Sequence, residues 1–220
     1  MRTVVFDLDG TLADTSADLL AAANACFVGL GQGEILHEGD SFTAFQGGRA
    51  MLRLGFQRFG APWSEADVGR EYPVLLAHYA EGLDRQTRLY AGAVEAIGDL
   101  RLAGMRCAVC TNKPEGLAVE LLRRLGVLHL FDSLIGADTL PVRKPDPAPY
   151  RAAVERAGGQ VGRSLMVGDT ITDRDTGRAA GVPVVLVSFG PEGKAIERLA
   201  PDAVLHDYAD LPAVVARLLP

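Results

Sequence analysis

The chain has few of the features that mark secreted, membrane-spanning or nucleic-acid-binding proteins. Its 220 residues include only three cysteines, which do not resemble a disulfide framework. No uninterrupted apolar run reaches the roughly 18 residues of a membrane span. A formal net charge of −6 argues against a broad surface for nucleic acid or anionic membranes. No basic leader precedes the first apolar run, so we expect a cytoplasmic protein.

Cysteine and histidine also offer no metal site. Cys107 and Cys110 form a CxxC motif within a strand-like run, where a spacing of three points the side chains to opposite faces. We expect them, with Cys26, to be buried apolar residues. The four histidines lie in no cluster and are expected to be structural or surface residues: His37, His78, His129 and His206.

Short apolar runs alternate with helical patterns along most of the chain. This alternation predicts an α/β fold, a doubly wound parallel sheet covered by helices on both faces. The predicted strands are 3–6, 105–110, 133–135, 164–167, 184–187 and 203–205. The predicted helices of this part are 94–102, 117–125, 150–157 and 211–219.

A different pattern occupies residues 15–85, where helical spacing dominates and no strand is indicated. Ser64 and Asp67 form a capping-box pattern at the start of one of its helices. We predict a Rossmann-like core from 1–14 and 86–220, with residues 15–85 inserted as a small helical domain. An insertion there lies above the carboxyl ends of the strands, where open α/β sheets bind ligands.

The first strand ends in two carboxylates one residue apart. Asp7 and Asp9 point to the same side if the strand continues through them. At about 4 Å their charges repel by roughly 4 kcal/mol at an effective dielectric near 20. A positive partner is therefore expected between them.

Three further polar clusters follow later strands, so all four should meet at one edge of the sheet. They contain Thr111 with Asn112, Lys144, and Asp169 with Asp173. Oxygen ligands without Cys or His favour a hard cation, and a site that also takes phosphate favours Mg²⁺. Each cluster alone is equally typical of a turn, a helix cap or a solvated lysine. Their order, each just past a strand, favours a site.

The four clusters resemble the four motifs of the haloacid dehalogenase (HAD) superfamily, in the same order and spacing. They read "DLDGTLADT", "CTNK", "RKPDPAPY" and "VGDTITDRDTGRAAGVP". The inserted segment is similar to the small α-helical cap of that superfamily. Within it, the chain most resembles bacterial phosphoglycolate phosphatases nearly end to end, including "QGGRAMLRLG" in the cap.

The resemblance implies a chemical role for each carboxylate. Asp7 would attack phosphorus and form an aspartyl phosphate. Asp9 would protonate the leaving group and then activate water. Mg²⁺ would be bound by Asp7, Asp169 and the Asp9 backbone carbonyl, with Asp173 close behind, directly or through water.

The resemblance also implies how substrate is bound. Thr111, Asn112 and Lys144 would hold the transferring phosphoryl group. Specificity would then come from the cap, where Gly48 and Arg49 begin a helix. A bidentate arginine there suits the carboxylate of 2-phosphoglycolate. A flexible turn with a solvated arginine is the alternative.

A carboxylic acid at position 9 favours phosphatases and mutases over the dehalogenases and ATPases of the superfamily. Related sugar-phosphate mutases carry a histidine in the first cap helix, and residues 19–25 have none. We therefore expect a phosphatase acting on a small phosphorylated metabolite, as a monomer or homodimer, without nucleic-acid or membrane partners. The alternatives are a phosphatase or phosphomutase for a sugar phosphate, nucleotide or pyrophosphate, or a phosphate-binding or receiver-like signalling protein. The third strand ends without the carboxylate that a receiver needs.

Overall fold

The computed structural model describes residues 1–219 and divides the chain into two compact units. The core unit comprises Met1–Asp14 and the chain from Leu89 onward. The inserted unit comprises Thr15–Arg88, and it ends three residues beyond the boundary at 85 that the sequence predicts.

Within residues 1–219 the chain forms eight strands, and six of them build one sheet in the order β5-β4-β1-β6-β7-β8. Every neighbouring pair in this sheet is parallel, which confirms the predicted doubly wound α/β fold. The two remaining strands, β2 and β3, form a separate two-stranded sheet. The strands are β1 (Thr3–Phe6), β2 (Ala13–Asp14), β3 (Arg88–Leu89), β4 (Arg106–Cys110), β5 (Ser133–Ile135), β6 (Ser164–Gly168), β7 (Val184–Val187) and β8 (Ala203–Leu205).

The inserted unit consists of helices. Its members are α1 (Ser16–Gly29), α2 (Ser41–Phe45), α3 (Gly48–Phe59) and α4 (Glu65–Glu81). The predicted capping box of Ser64 and Asp67 is present at the start of α4. Helices α1 and α3 approach so closely that a Cβ on Gly55 would lie 2.1 Å from the Phe27 ring. Only glycine fits at this contact.

Four of the five helices in residues 89–219 pack in pairs, α5 against α9 and α7 against α8. The five helices are α5 (Ala93–Leu102), α6 (Glu115–Arg124), α7 (Pro147–Arg156), α8 (Ile171–Ala180) and α9 (Leu211–Leu218). With both faces of the sheet covered, a central strand is buried along its length and is mostly apolar. All four residues of β1 are accordingly buried.

Register brings the ends of the central strands to one level. Phe6, the last residue of β1, pairs with Val109 of β4 on one side and Val167 of β6 on the other. The residues that follow these strands therefore emerge side by side at the carboxyl edge of the sheet.

The structure also shows the state of the cysteines and the length of the helices. Cys26, Cys107 and Cys110 are free and buried, as predicted. Across residues 1–219, none of the helices combines the length and apolar character needed to cross a membrane.

Candidate active site

The site begins at the turn that follows β1. The Asp7 N–H donates to the Val167 carbonyl at 2.9 Å, which extends the pairing of β1 with β6 by one residue. The chain then turns sharply through Gly10, whose φ of 80° lies in the left-handed region that favours glycine. The turn brings the Thr11 hydroxyl to the Asp169 carboxylate, and its Oγ1 donates to Oδ1 at 2.8 Å.

Lys144 joins two of the predicted carboxylates. Its Nζ lies 2.7 Å from Asp173 Oδ1 and 3.0 Å from Asp7 Oδ1. The lysine is only 3% exposed, so its charge depends on these partners. The same Asp7 oxygen accepts from the Leu8 N–H at 2.7 Å. Lys144 is thus a buried, ion-paired lysine and not a solvated surface residue, and its role in holding phosphate stays a prediction.

Asp173 uses both of its oxygens within the protein. Oδ2 accepts from the Thr170 hydroxyl and from the backbone N–H groups of Thr170 and Asp169, a capping box at the start of α8. Oδ1 faces Lys144. A Cβ on Gly168 would lie 2.3 Å from the Asp173 side chain, so glycine is required for this approach. Asp173 thus fixes Lys144 relative to the end of β6.

Asp9 binds a second lysine. Lys113 Nζ lies 2.8 Å from Asp9 Oδ1 and 3.0 Å from Oδ2, and the Lys113 residue is 6% exposed. Lys113 is not among the site residues predicted from the sequence. One feature of the local sequence could have identified it. A lysine just before the first turn of α6 lies at the positive end of the helix dipole, which is unfavourable unless an anion is close to the ammonium group.

Thr111 and Asn112 connect the loops around the site. The Thr111 N–H donates to the Ile135 carbonyl at 3.0 Å, and its hydroxyl accepts from the Lys113 N–H at 3.2 Å. The Asn112 side-chain amide donates to the Lys144 carbonyl at 3.0 Å. This bond ties the loop after β4 to the loop that carries Lys144, whose peptide bond to Pro145 is cis.

Burial makes two of the carboxylates, those of Asp7 and Asp169, hard to ionise without a further cation. Removal from water raises the pKa of Asp7 to about 6, although Lys144 opposes the shift. Burial, with the charges of Asp173 and Asp7, raises the pKa of Asp169 well above its ordinary value. For Lys144, burial alone lowers the pKa, but the charges of Asp173 and Asp7 outweigh it and keep the ammonium protonated.

One group of oxygens has the spacing of a metal site. Asp7, Asp169 and Asp173 each contribute one carboxylate oxygen, and these atoms lie within 4.8 Å of one another. Among the described residues, Asp169 Oδ2 is a buried oxygen without a hydrogen-bond partner. An unpaired buried carboxylate oxygen is costly. Such an atom is suited to a cation.

Gly48 and Arg49 lie in the inserted unit, at the start of α3. A Cβ on Gly48 would lie 3.1 Å from Leu75 and 3.2 Å from Tyr72, so this glycine permits close packing on α4. The Arg49 guanidinium lies 4.3 Å from the centre of the Tyr72 ring, in a cation–π contact. Their role in specificity stays a prediction.

Comparison with known proteins places the chain in a family. The model of the haloacid dehalogenase-like hydrolases matches residues 1–181. The chain is similar to the phosphoglycolate phosphatase of Agrobacterium fabrum, with 38% identity over 98% of this chain and 93% of that protein. It is equally similar to the phosphoglycolate phosphatase of Caulobacter vibrioides, with 38% identity over 99% and 92% of the two chains.

A solved structure supports the same assignment. The crystal structure of a predicted phosphoglycolate phosphatase from Haemophilus somnus aligns with a TM-score of 0.83 and 26% identity, over 97% of each chain. Since the family model covers most of the chain and the relatives cover nearly all of it, this chain belongs to the haloacid dehalogenase-like hydrolases.

Proposed function

We propose that this protein is a Mg²⁺-dependent phosphatase that hydrolyses a small phosphate monoester, 2-phosphoglycolate above all, through an aspartyl phosphate. The observation that carries the proposal is the cluster at the carboxyl edge of the sheet, where Asp7, Asp169 and Asp173 lie together and Lys144 pairs with Asp7 and Asp173. Such a site combines a nucleophile with the positive charge that a phosphoryl group needs.

The residues present fit a divalent cation. Four carboxylates, those of Asp7, Asp9, Asp169 and Asp173, face two ammonium groups, those of Lys113 and Lys144. Two negative charges are left, which one Mg²⁺ balances. Asp7 and Asp169 would bind the ion with side-chain oxygens and Asp9 with its backbone carbonyl. Asp173 would support them, because both its oxygens already accept hydrogen bonds. When bound, the ion supplies charge that lets a carboxylate approach a phosphate dianion.

In the first step, Asp7 attacks phosphorus and a P–O bond to the substrate's alkoxide breaks. Asp9 enters this step protonated, having taken up a proton as the substrate binds, and gives that proton to the departing oxygen. In the second step, water attacks the phosphorus of the aspartyl phosphate, Asp9 accepts a proton from that water, and the Asp7 carboxylate is restored as inorganic phosphate leaves.

The transferring phosphoryl group would be held by Thr111, Asn112 and Lys144. Lys144 is buried, protonated and fixed by two acids, so it provides a preorganised positive charge. The Asn112 side chain is engaged by the Lys144 carbonyl. In this proposal its backbone N–H, near the start of α6, is the group that faces a phosphate oxygen.

The preference for 2-phosphoglycolate is supported by the names of the relatives and by the chemistry of Arg49. 2-Phosphoglycolate also bears a carboxylate, and the residues proposed to bind its phosphate would not bind this second group. A guanidinium held on Tyr72 loses little conformational freedom when it binds such a group. We therefore assign carboxylate recognition to Arg49, with Gly48 allowing α3 to begin close to α4.

The test is a panel of phosphate esters incubated with the purified protein and Mg²⁺: 2-phosphoglycolate, para-nitrophenyl phosphate, a hexose phosphate, a nucleoside monophosphate and pyrophosphate. Release of inorganic phosphate should be fastest from 2-phosphoglycolate. Faster release from another member would reassign the substrate and leave the phosphatase chemistry intact. Saturable binding of inorganic phosphate without turnover of any ester would instead support a binding protein.

A further inference from the structure

Two lysines divide the acids of the site between them. Lys144 contacts Asp7 and Asp173, whereas Lys113 contacts Asp9. The Lys113 ammonium lies within hydrogen-bond distance of both Asp9 oxygens, at 2.8 and 3.0 Å. Contact with both oxygens restrains the rotation of the Asp9 carboxylate about its Cβ–Cγ bond. It also restrains the distance between the carboxylate and the Lys113 ammonium group.

The backbone of Lys113 is itself held from two sides. Its N–H donates to the Thr111 hydroxyl at 3.2 Å, and its carbonyl accepts from the Ala137 N–H at 2.9 Å. Thr111 follows β4 and Ala137 follows β5. The side chain therefore extends from a point fixed by two strands of the sheet, and 104 residues of chain separate it from Asp9.

Placing a lysine here has costs that need a reason. A buried ammonium loses hydration, and at the start of α6 it opposes the helix dipole. The ion pair with Asp9 offsets both costs. Lys113 and Asp9 thus restrain each other.

We propose that Lys113 is a positioning residue, which holds the Asp9 carboxyl group where it protonates the leaving oxygen and later receives a proton from water. This inference rests on the proposed phosphatase function and deepens it. Lys113 acts through Asp9, and Lys144 serves the phosphoryl group. The effect of losing Lys113 must therefore depend on whether the departing oxygen needs a proton.

Two substrates separate these roles. The alkoxide that leaves 2-phosphoglycolate is strongly basic and needs a proton as the P–O bond breaks. The para-nitrophenolate ion is a weak base and departs without one. Hydrolysis of the aspartyl phosphate needs Asp9 with either substrate.

The experiment uses the full chain with Mg²⁺ and three lysine variants. Lys113→Met keeps the length of the side chain and removes its charge, and Lys113→Arg keeps the charge. Lys194→Met is the matched control, because Lys194 is the third lysine of the chain and is exposed outside the site. Product release is followed from the first turnover onward by rapid mixing, with Tm recorded for each variant.

For Lys113→Met we expect first-turnover release from 2-phosphoglycolate to slow about 30-fold, within the range for disturbed positioning of a catalytic group. With para-nitrophenyl phosphate we expect a burst of one para-nitrophenolate per active site, followed by a slow phase, since phosphorylation of Asp7 continues and its hydrolysis does not. Lys113→Arg should recover part of the lost rate. Lys194→Met should behave as the wild type.

Several results would overturn the inference. Equal slowing of both first turnovers would mean that Lys113 acts on the phosphoryl group or on folding. Wild-type kinetics in Lys113→Met would remove it from the mechanism. An additional loss when Lys113→Met is combined with Asp9→Asn would show that it does not act through Asp9. If the wild type turns over neither ester, the proposed function itself fails, and this inference with it.

Discussion

Asp173 allows a direct test of what holds the site together. We consider Asp173→Asn, which keeps the shape of the side chain and removes its charge. The native carboxylate accepts from Lys144 on Oδ1 and from three donors at the start of α8 on Oδ2. An amide has one oxygen and one NH₂ group, so either orientation places donors against donors.

The size of the effect follows from burial. Lys144 is 3% exposed and lies 2.7 Å from Asp173. Removing one partner of a buried ion pair costs about 3–5 kcal/mol. The lower end, about 3 kcal/mol, applies because Lys144 keeps Asp7 at 3.0 Å. We expect Tm to fall by roughly 6–12 °C. We also expect kcat/KM to fall by about 10- to 100-fold, as for other residues that orient a catalytic group.

The control is Asp67→Asn in α4. Asp67 occupies the same position of a capping box, with Ser64 in place of Thr170 and the exposed Arg70 in place of Lys144. It therefore reports the loss of a helix cap without the loss of a buried lysine's partner. Thermal unfolding and hydrolysis of two esters, 2-phosphoglycolate and para-nitrophenyl phosphate, are measured for both variants. Because the proposed role of Lys144 is to hold the phosphoryl group that both esters share, Asp173→Asn should slow both esters alike. A Tm loss no greater than that of Asp67→Asn, with kcat/KM within about threefold of wild type, would refute the reasoning.

Three further predictions concern the nucleophile, the metal and the substrate. Asp7→Asn should abolish phosphate release while the protein stays folded, because the amide has the size of the carboxylate but is no nucleophile, and Lys144 keeps Asp173 at 2.7 Å; wild-type activity in this variant would exclude the covalent step. EDTA should stop turnover, Mg²⁺ should restore it and Ca²⁺ should restore it poorly; equal rates with both ions would contradict the site. Arg49→Ala should lower kcat/KM for 2-phosphoglycolate roughly thirtyfold, which corresponds to about 2 kcal/mol of transition-state binding, and should barely change kcat/KM for para-nitrophenyl phosphate. The control is Arg53→Ala, on the same helix as Arg49, which loses an exposed ion pair with Glu65 of α4 and should affect neither substrate. Equal losses from both variants would remove the special role of Arg49. The pH dependence of metal binding provides a fourth. The pKa of Asp7 is raised to about 6 from an ordinary 3.8, so without metal its contribution to stability is present below about pH 4 and is lost as pH rises through about 6, on the order of 3 kcal/mol. Since Mg²⁺ binds the ionised carboxylate, the rise in Tm that it causes should be larger at about pH 8 than at about pH 5, and a rise independent of pH would contradict this.

The strands and the order of the site residues could be predicted because both depend on local sequence. The six runs that form the main sheet are apolar, short and bounded by polar turns, and the structure places each strand within a residue or two of the predicted bounds. Asp7, Thr111 and Asp169 come directly after such runs, so parallel pairing was enough to bring them to one edge. Helix α2, which spans only Ser41–Phe45, has too few residues to show a period and was missed.

The pairing of charges across the site could not be predicted in the same way. Lys113 and Lys144 both follow strands that end at this edge, and nothing local says which acid each will join. The choice depends on side-chain reach and on loop paths fixed by bonds such as that from Asn112 to the Lys144 carbonyl. The contact of Arg49 with Tyr72 likewise depends on how α3 packs on α4. These are tertiary contacts between residues far apart in the chain.

The two capping boxes, at the starts of α4 and α8, also separate what local sequence predicts from what the tertiary structure adds. Ser64 with Asp67 and Thr170 with Asp173 have the same spacing, and in each the aspartate accepts from the hydroxyl and the N–H of the capping residue while its second oxygen faces a cation. Local sequence therefore gives both the same interpretation, a helix start. What separates them is the element that precedes each box: Thr170 follows β6 at the carboxyl edge of a buried parallel sheet, and Ser64 follows a loop between two helices. At the sheet edge the aspartate must share its surroundings with the acids that follow neighbouring strands, and burial then raises the pKa of Asp7 and Asp169 around it. Asp173 therefore differs from Asp67 in its neighbours and not in its capping bonds, since only Asp173 lies beside other buried charged groups.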